Sequence, residues 1–310
     1  MSEVFVGISG WSYAPWRGNF FPKGLPHRLE LAYASRRFNA LEVNGTFYSL
    51  QRPATFAKWY DESPPGFVFA LKGPRFLTHM RKLKEPRAPL ANFFASGTLA
   101  LREKLGPILW QFPPTFRFEA DRFRSFFDLL PRDTVELARL ARRHDQRLKC
   151  RALLEADACR PVRHAVEFRH ESFLCDRFVS LLREHGIAMV IADVASRFPT
   201  ATDVTADWVY IRLHGSRRLY VSGYTPREIA TWAGRIETWR RGGEPDDARR
   251  IGGPLRSTKG RDVYIFFDNT DVKLRAPVDS RRMAERLGVG PQETPRQVLA
   301  LLMAARVQNP

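Results

Sequence analysis

Apolar residues in this chain fall into short dense runs, separated by stretches in which they recur every three or four positions. Eight of the runs are rich in β-branched and aromatic residues: Val4–Trp11, Ala40–Tyr48, Phe67–Gly73, Leu105–Phe112, Ala165–His170, Ala188–Val194, Trp208–Gly215 and Asp262–Asn269. Runs of this length predict buried parallel strands. The stretches Arg28–Phe38, Pro53–Glu62, Pro89–Lys104, Asp121–Leu130, Asp176–His185 and Pro226–Arg241 carry helical spacing. Pro53, Pro89 and Pro226 suit a first helical turn, where a missing N–H costs nothing. Alternating strands and helices imply right-handed crossovers and a parallel sheet, and eight such units close into a barrel. The expected fold class is therefore α/β, a single (β/α)8 barrel over residues 1–310. An extra helix, Asp133–Lys149, is expected between units four and five, and a final helix, Pro295–Val307, outside the barrel. The connection after Val194 is short with weak helical character, and Gly242–Lys259, rich in Gly, Pro and Arg, reads as a flexible loop. No internal repeat or low-complexity linker divides the chain.

Several strands turn polar at their C-terminal ends, against the rule for strands covered on both faces. By two-residue alternation Glu42, Asn44 and Thr46 share a face, as do Glu167 with Arg169 and Arg212 with His214. Strand three ends at Lys72, strand four at Gln111, strand six at Asp193 and strand eight at Asp268-Asn269. The apolar partners Val43, Phe168 and Leu213 then face the helices, and the charged set faces the axis at the C-terminal mouth, where barrel enzymes hold their active sites. Buried charges must pair, bind a guest or both. Glu42 and Glu167 are candidates for general acid or base, and His214 for proton transfer. Lys72, Arg169 and Arg212 are candidates to clamp an anion, with Asn44, Gln111, Asp193, Asp268 and Asn269 orienting them. Trp11, Tyr13 and Tyr48, with Phe47, Tyr220 and Tyr224, offer aromatic faces for stacking above the strand ends. Thr78-His79 follows strand three, within reach of the mouth. The competing structural reading is a self-neutralising salt-bridge network.

Glu42, Glu167, Asp193, His214 and Asp268 would also supply oxygen and nitrogen ligands for a divalent ion. Three cations in the same mouth oppose it, and no HxH or HExxH occurs, so no metal is assigned and a divalent ion is kept as the alternative. The absence of a P-loop, GxSxG or dinucleotide fingerprint leaves hydrolase, isomerase or lyase chemistry without a redox cofactor.

Charge widens the choice of partner. Of 50 basic residues nine are Lys and the rest Arg, against 33 acidic ones, a net charge of +17. A small anionic ligand is the first expectation and nucleic acid the second. The basic residues are spread along the whole chain, which equally fits an Arg-rich composition with no nucleic-acid role. A non-catalytic metabolite sensor is a third reading. Cys150, Cys159 and Cys175 form no CxxC pair, which fits a reducing compartment. With no signal-peptide pattern after Met1 and no run of about 18 apolar residues, a cytoplasmic protein without a membrane span is expected. Nothing in the sequence sets the oligomeric state.

Seven blocks also carry a resemblance: GISGWSYxxWRGxFFP, FNALEVNGTFY, FVFALKGPRFLTH, LGPILWQFPPTF, AVEFRHESF, YIRLHG and VYIFFDN. In this order and over nearly the whole chain they resemble the YecE-like family, domain of unknown function 72. The resemblance implies a TIM barrel similar in fold to the xylose isomerase and endonuclease IV-like barrels, and hence sugar or DNA chemistry as precedents. Those relatives use several histidine and carboxylate metal ligands, and this sequence lacks most of the histidines, which argues against copying their mechanism.

Overall fold

The computed structural model describes residues 2–148, 151–255, 257, 259–270, 274–290 and 295–308. Eight parallel strands, β1 (Val4–Ser9), β2 (Ala40–Val43), β3 (Val68–Lys72), β4 (Leu105–Gln111), β5 (His164–Glu167), β6 (Ala188–Asp193), β7 (Trp208–Leu213) and β8 (Asp262–Phe267), close in chain order, β8 pairing back to β1. Around them run α1 (Glu30–Ala34), α2 (Gly45–Tyr48), α3 (Pro53–Glu62), α4 (Arg87–Ala95), α5 (Ala120–Phe127), α6 (Thr134–Ala141), α7 (Asp176–Glu184), α8 (Pro226–Arg240), α9 (Arg275–Arg286) and α10 (Pro295–Gln308). The fold is the (β/α)8 barrel. The extra helix between units four and five is α6, its N-terminus capped by Asp133, whose carboxylate accepts from the Val135 and Glu136 amides. It is shorter than the expected Asp133–Lys149: the α-helix ends at Ala141, a separate 3-10 turn covers Gln146–Leu148, and Lys149 and Cys150 lie outside the described residues. Cys159 is exposed and Cys175 half-buried, both as free thiols.

Strand register separates two layers. Side chains of paired residues point to the same face, and the rows Ala40, Ala70, Leu109, Ala165 and Phe5, Trp208, Tyr210, Tyr264, Phe266 fill the bore. The small residues come from β2, β3 and β5, and the aromatics from β1, β7 and β8, so one side of the bore is filled from the other. Outward residues such as Ile8, Leu41, Leu71, Ile211, Leu213 and Phe267 pack under the helices.

Three expectations are corrected. The second run is strand only to Val43. Asn44 turns into the right-handed helical region, Gly45–Tyr48 forms α2, and the Thr46 hydroxyl turns away to bond the Val43 and Lys72 carbonyls. The helix expected over Pro89–Lys104 breaks after Ala95, because Gly97 sits at φ 126° where a Cβ would lie 2.5 Å from the Pro53 Cα of α3. Helix α9 was missed because its apolar residues, Ala276, Met283 and Ala284, are few among charged ones. The Gly242–Lys259 segment has neither helix nor strand among its described residues. It is tied down where Asp203 accepts from the Ile251 and Gly252 amides and Glu244 from the Leu255 amide. No helix of the described residues is long and apolar enough to cross a membrane.

Candidate functional site at the barrel mouth

Register alone places Arg212 in the bore: it pairs with Phe266 and Ala192, both inward-facing. Its side chain is fully buried. Nε and Nη2 donate to the two Glu42 oxygens at 3.0 and 2.7 Å, Nη1 donates to Glu167 at 2.5 Å, and Nη2 to Asp268 at 2.9 Å. Glu42 also accepts from Ser9 Oγ and Tyr210 Oη, each at 2.7 Å. Glu167 accepts further bonds from Gln111 Nε2 at 2.9 Å and Arg169 Nε at 3.0 Å. Burial alone would raise the Glu167 carboxyl, but Arg212, then Arg169, His214 and Lys72 hold it well below the usual range. Asp268 is likewise lowered against its own burial, chiefly by Arg212 and His214. The fully buried His214 ring lies with Nδ1 3.1 Å from Asp268 and Nε2 3.5 Å from Arg212 Nη1. Three carboxylates thus converge on one guanidinium. Among the described residues no three His, Cys, Asp or Glu side chains come together as a metal site.

Above this floor opens a cavity of about 660 Å³. Its cations are Lys72, Arg75 and Arg169, and its aromatic walls are Tyr13, Phe47, Tyr48 and Tyr220. Asn44, His79, Gln111, Asp268 and Thr270 complete the lining with Met80. Lys72 ends β3 with its ammonium 4.3 Å from the centre of the Phe47 ring. Burial pushes its pKa down and Arg212 adds to that; Asp268, Glu167 and Glu42 offset part, leaving about 8. His79 sits on the π-helical turn Phe76–Met80, Nδ1 2.9 Å from Thr78 Oγ1. Burial, then Lys72, Arg169 and Arg75, lower it to about 4, so the ring is neutral at physiological pH. Tyr13 donates to the Ser9 carbonyl at 2.8 Å and is pushed up to about 12, first by burial and then by Asp268. Tyr220, with a left-handed backbone (φ 63°), donates its amide to the His214 carbonyl and accepts from Arg169 Nη2 at 2.9 Å. Its ring stands edge-on over His214.

Of the residues expected at the site, Asn44, Lys72, Gln111, Arg169, Asp268, Tyr13 and Tyr48 line the cavity. Glu42, Arg212 and His214 are fully buried, and Glu167 is 2% exposed, so these four form the floor. Three placements are corrected. Asp193 shares a row with the outward-facing Leu213 and meets Tyr224 and Trp232 under α8, because the inward set of β6 is Ala188, Val190 and Ala192. Asn269 faces outward and donates to the Ser222 carbonyl and Asp279. Trp11 packs edge-on against Trp59, away from the cavity. Arg75 and Thr270 were missed; both lie on turns, where strand parity carries no signal.

The fold and mouth define a class: a TIM barrel whose C-terminal mouth holds a saturated ionic floor beneath a cationic, aromatic-walled cavity. The chain matches the family described as "Protein of unknown function DUF72" over residues 5–300, and it belongs to that family. It is 28% identical to UPF0759 protein YecE of Escherichia coli K12 over 129 residues, 41% of this chain and 44% of that one. It is 25% identical to UPF0759 protein YunF of Bacillus subtilis over 118 residues, 36% of this chain and 41% of that one. The matched stretch thus spans less than half the length of either relative. Among solved structures it is similar to a DUF72 family protein of Thermotoga maritima, with TM-score 0.67 and 24% identity over 92% of this chain and 99% of that one. A DUF72 family protein of Enterococcus faecalis gives TM-score 0.64 and 16% identity over 94% and 99%. These likenesses show the fold.

Proposed function

We propose that the mouth binds a small anionic ligand, a carboxylate or phosphate ester, and acts on it by acid–base chemistry. The observation carrying this reading is that Lys72 and Arg75 both line the cavity, and among the described residues neither has a carboxylate within 4.0 Å. The carboxylates beneath them are meanwhile held by Arg212 and Arg169. Lys72 is buried, and a desolvated cation without a close counter-ion is costly; an anionic guest supplies one, and the exposed Arg75 at the rim adds a second donor to it. Among the described residues Arg169 spends two of its N–H groups, on Glu167 and Tyr220, and others are open to a guest. Lys72, titrating near 8, exchanges protons close to neutral pH, and Asp268 presents the carboxylate on the cavity wall. Glu42, Glu167 and His214 then act through Arg212 and Asp268 as positioning residues.

Isothermal titration with inorganic phosphate, sugar phosphates and dicarboxylates tests the reading. Arg75→Ala and Arg169→Ala each remove a charge-assisted contact and are expected to weaken binding by roughly 10- to 100-fold. No binding by any anion, or binding indifferent to both substitutions, would refute it. Affinity for an oligonucleotide that collapses between 50 and 200 mM salt, on the order of 10³-fold or more, would favour a nucleic-acid partner instead. Binding without turnover would leave a metabolite sensor.

A further inference from the structure

We propose that Lys72 forms an imine with the carbonyl carbon of an anionic aldehyde or ketone, making the mouth a Schiff-base site for a 2-oxo acid or a phosphorylated carbonyl compound. The proposal rests on the anion-binding reading above and adds the reacting atom and the functional group it attacks.

Geometry separates Lys72 from Lys104, the other buried lysine among the described residues. Lys104 is also buried, but its ammonium donates to the Tyr60 carbonyl at 2.6 Å, the Ser63 carbonyl at 2.7 Å and Ser63 Oγ at 3.1 Å, which fixes it as a structural strut. Lys72 stands on the register row of Leu109 and Ala165, so apolar residues surround its stem, and its nitrogen emerges at the cavity wall over the Phe47 ring. An amine serves as a nucleophile when it is reachable, unlocked from ion pairs and neutral part of the time. The first two conditions are met by position. The third follows from its surroundings: burial and Arg212 of β7 disfavour the charge, while Asp268, Glu167 and Glu42, and the Phe47 ring face, favour it. His79, on the adjoining turn, is neutral and adds no charge at pH 7. The outcome is about 8, against 10.5 for an ordinary lysine.

The step balances without a co-reactant. The ammonium and the carbonyl give an iminium and one water: the N–C bond forms, the C–O bond breaks, and two ammonium hydrogens leave with the carbonyl oxygen. The third stays on nitrogen, and the positive charge is retained. The cation so formed withdraws electrons from the neighbouring carbon, beside a wall that carries the Asp268 carboxylate as base. Arg75 and Arg169 take the guest's carboxylate or phosphate.

The test incubates the full chain with sodium cyanoborohydride and either pyruvate or dihydroxyacetone phosphate, then maps the lysine peptides by mass spectrometry. The expected adduct has the mass of the probe less one oxygen and sits on Lys72. At pH 7 it exceeds labelling of an ordinary exposed lysine on the order of 100-fold, from the difference between about 8 and 10.5. Its rate rises with a midpoint near 8, and whichever probe labels identifies the substrate class. Lys72→Arg keeps the cation and loses the adduct; the wild-type peptide map stands by itself should that variant misfold. Labelling spread evenly over the lysines, or a Lys72 midpoint near that of free lysine, overturns the proposal. Calorimetric binding of inorganic phosphate with neither probe on Lys72 defeats the imine and leaves the anion clamp standing, whereas absence of both defeats the two together.

Discussion

Replacing Arg212 with methionine keeps an unbranched stem in the bore and removes the guanidinium. Four N–H bonds to Glu42, Glu167 and Asp268 go with it, at distances from 2.5 to 3.0 Å. Removing one partner of a buried ion pair costs about 3–5 kcal/mol, because the survivor is left charged in a poorly solvated place. Here three carboxylates share the lost partner, so the upper end of that range applies, a fall in Tm on the order of 10 °C. The pH dependence carries the sharper test. In the native protein Glu167 is held below its ordinary value of 4.5, so its contribution is present above that value and is lost as pH falls through the folded one. Without Arg212, the largest of the charges that lower it, burial is expected to outweigh Arg169, His214 and Lys72 and to raise the folded-state pKa above the unfolded one. Such a group contributes stability below the unfolded value and loses it as pH rises through the folded value. The gap in Tm between wild type and variant is therefore expected to be widest near pH 7.5 and to narrow steadily toward pH 5. Differential scanning calorimetry at several pH values measures it. A loss under about 1 kcal/mol, or a gap of constant size across the range, would show that the floor is not an ionic unit held by Arg212.

Other expectations follow from single contacts. In ¹H–¹⁵N NMR the His79 ring should titrate near 4 and move toward 6.5 when inorganic phosphate saturates the mouth, since the anion screens Lys72, Arg169 and Arg75; an unmoved midpoint would place the anion elsewhere. Gly7→Ala puts a Cβ 2.0 Å from the Ala40 carbonyl oxygen of the neighbouring strand and should cost about 3 kcal/mol in urea unfolding, so a neutral result would mean that β1 and β2 separate easily. Thr225→Ala removes the bond that Thr225 Oγ1 accepts from the Glu228 amide, half of the capping box that begins α8, and should cost about 1 kcal/mol by the same assay.

Strand parity is a local property, and it was legible wherever a strand was regular up to its end. Arg212, Glu167 and Lys72 could be assigned to the bore because their neighbours Leu213, Val166 and Leu71 are apolar and pack under the helices. Parity failed where the backbone left the strand or the count was misjudged. Thr46 turns away within α2, Arg75 enters the mouth from the cap of the π-helical turn Phe76–Met80, and Asp193 falls on the wrong side of β6 by one residue. By itself, then, the sequence determined the barrel, its polar end and the kinds of charge gathered there, since periodicity and residue type are written along the chain. Only closure of β8 onto β1 decided which charges meet, because Glu42 and Arg212 lie 170 residues apart yet 2.7 Å from one another. That closure placed the carboxylates around Arg212 in a dry floor and left Lys72 above them, facing the cavity with no carboxylate within 4.0 Å among the described residues.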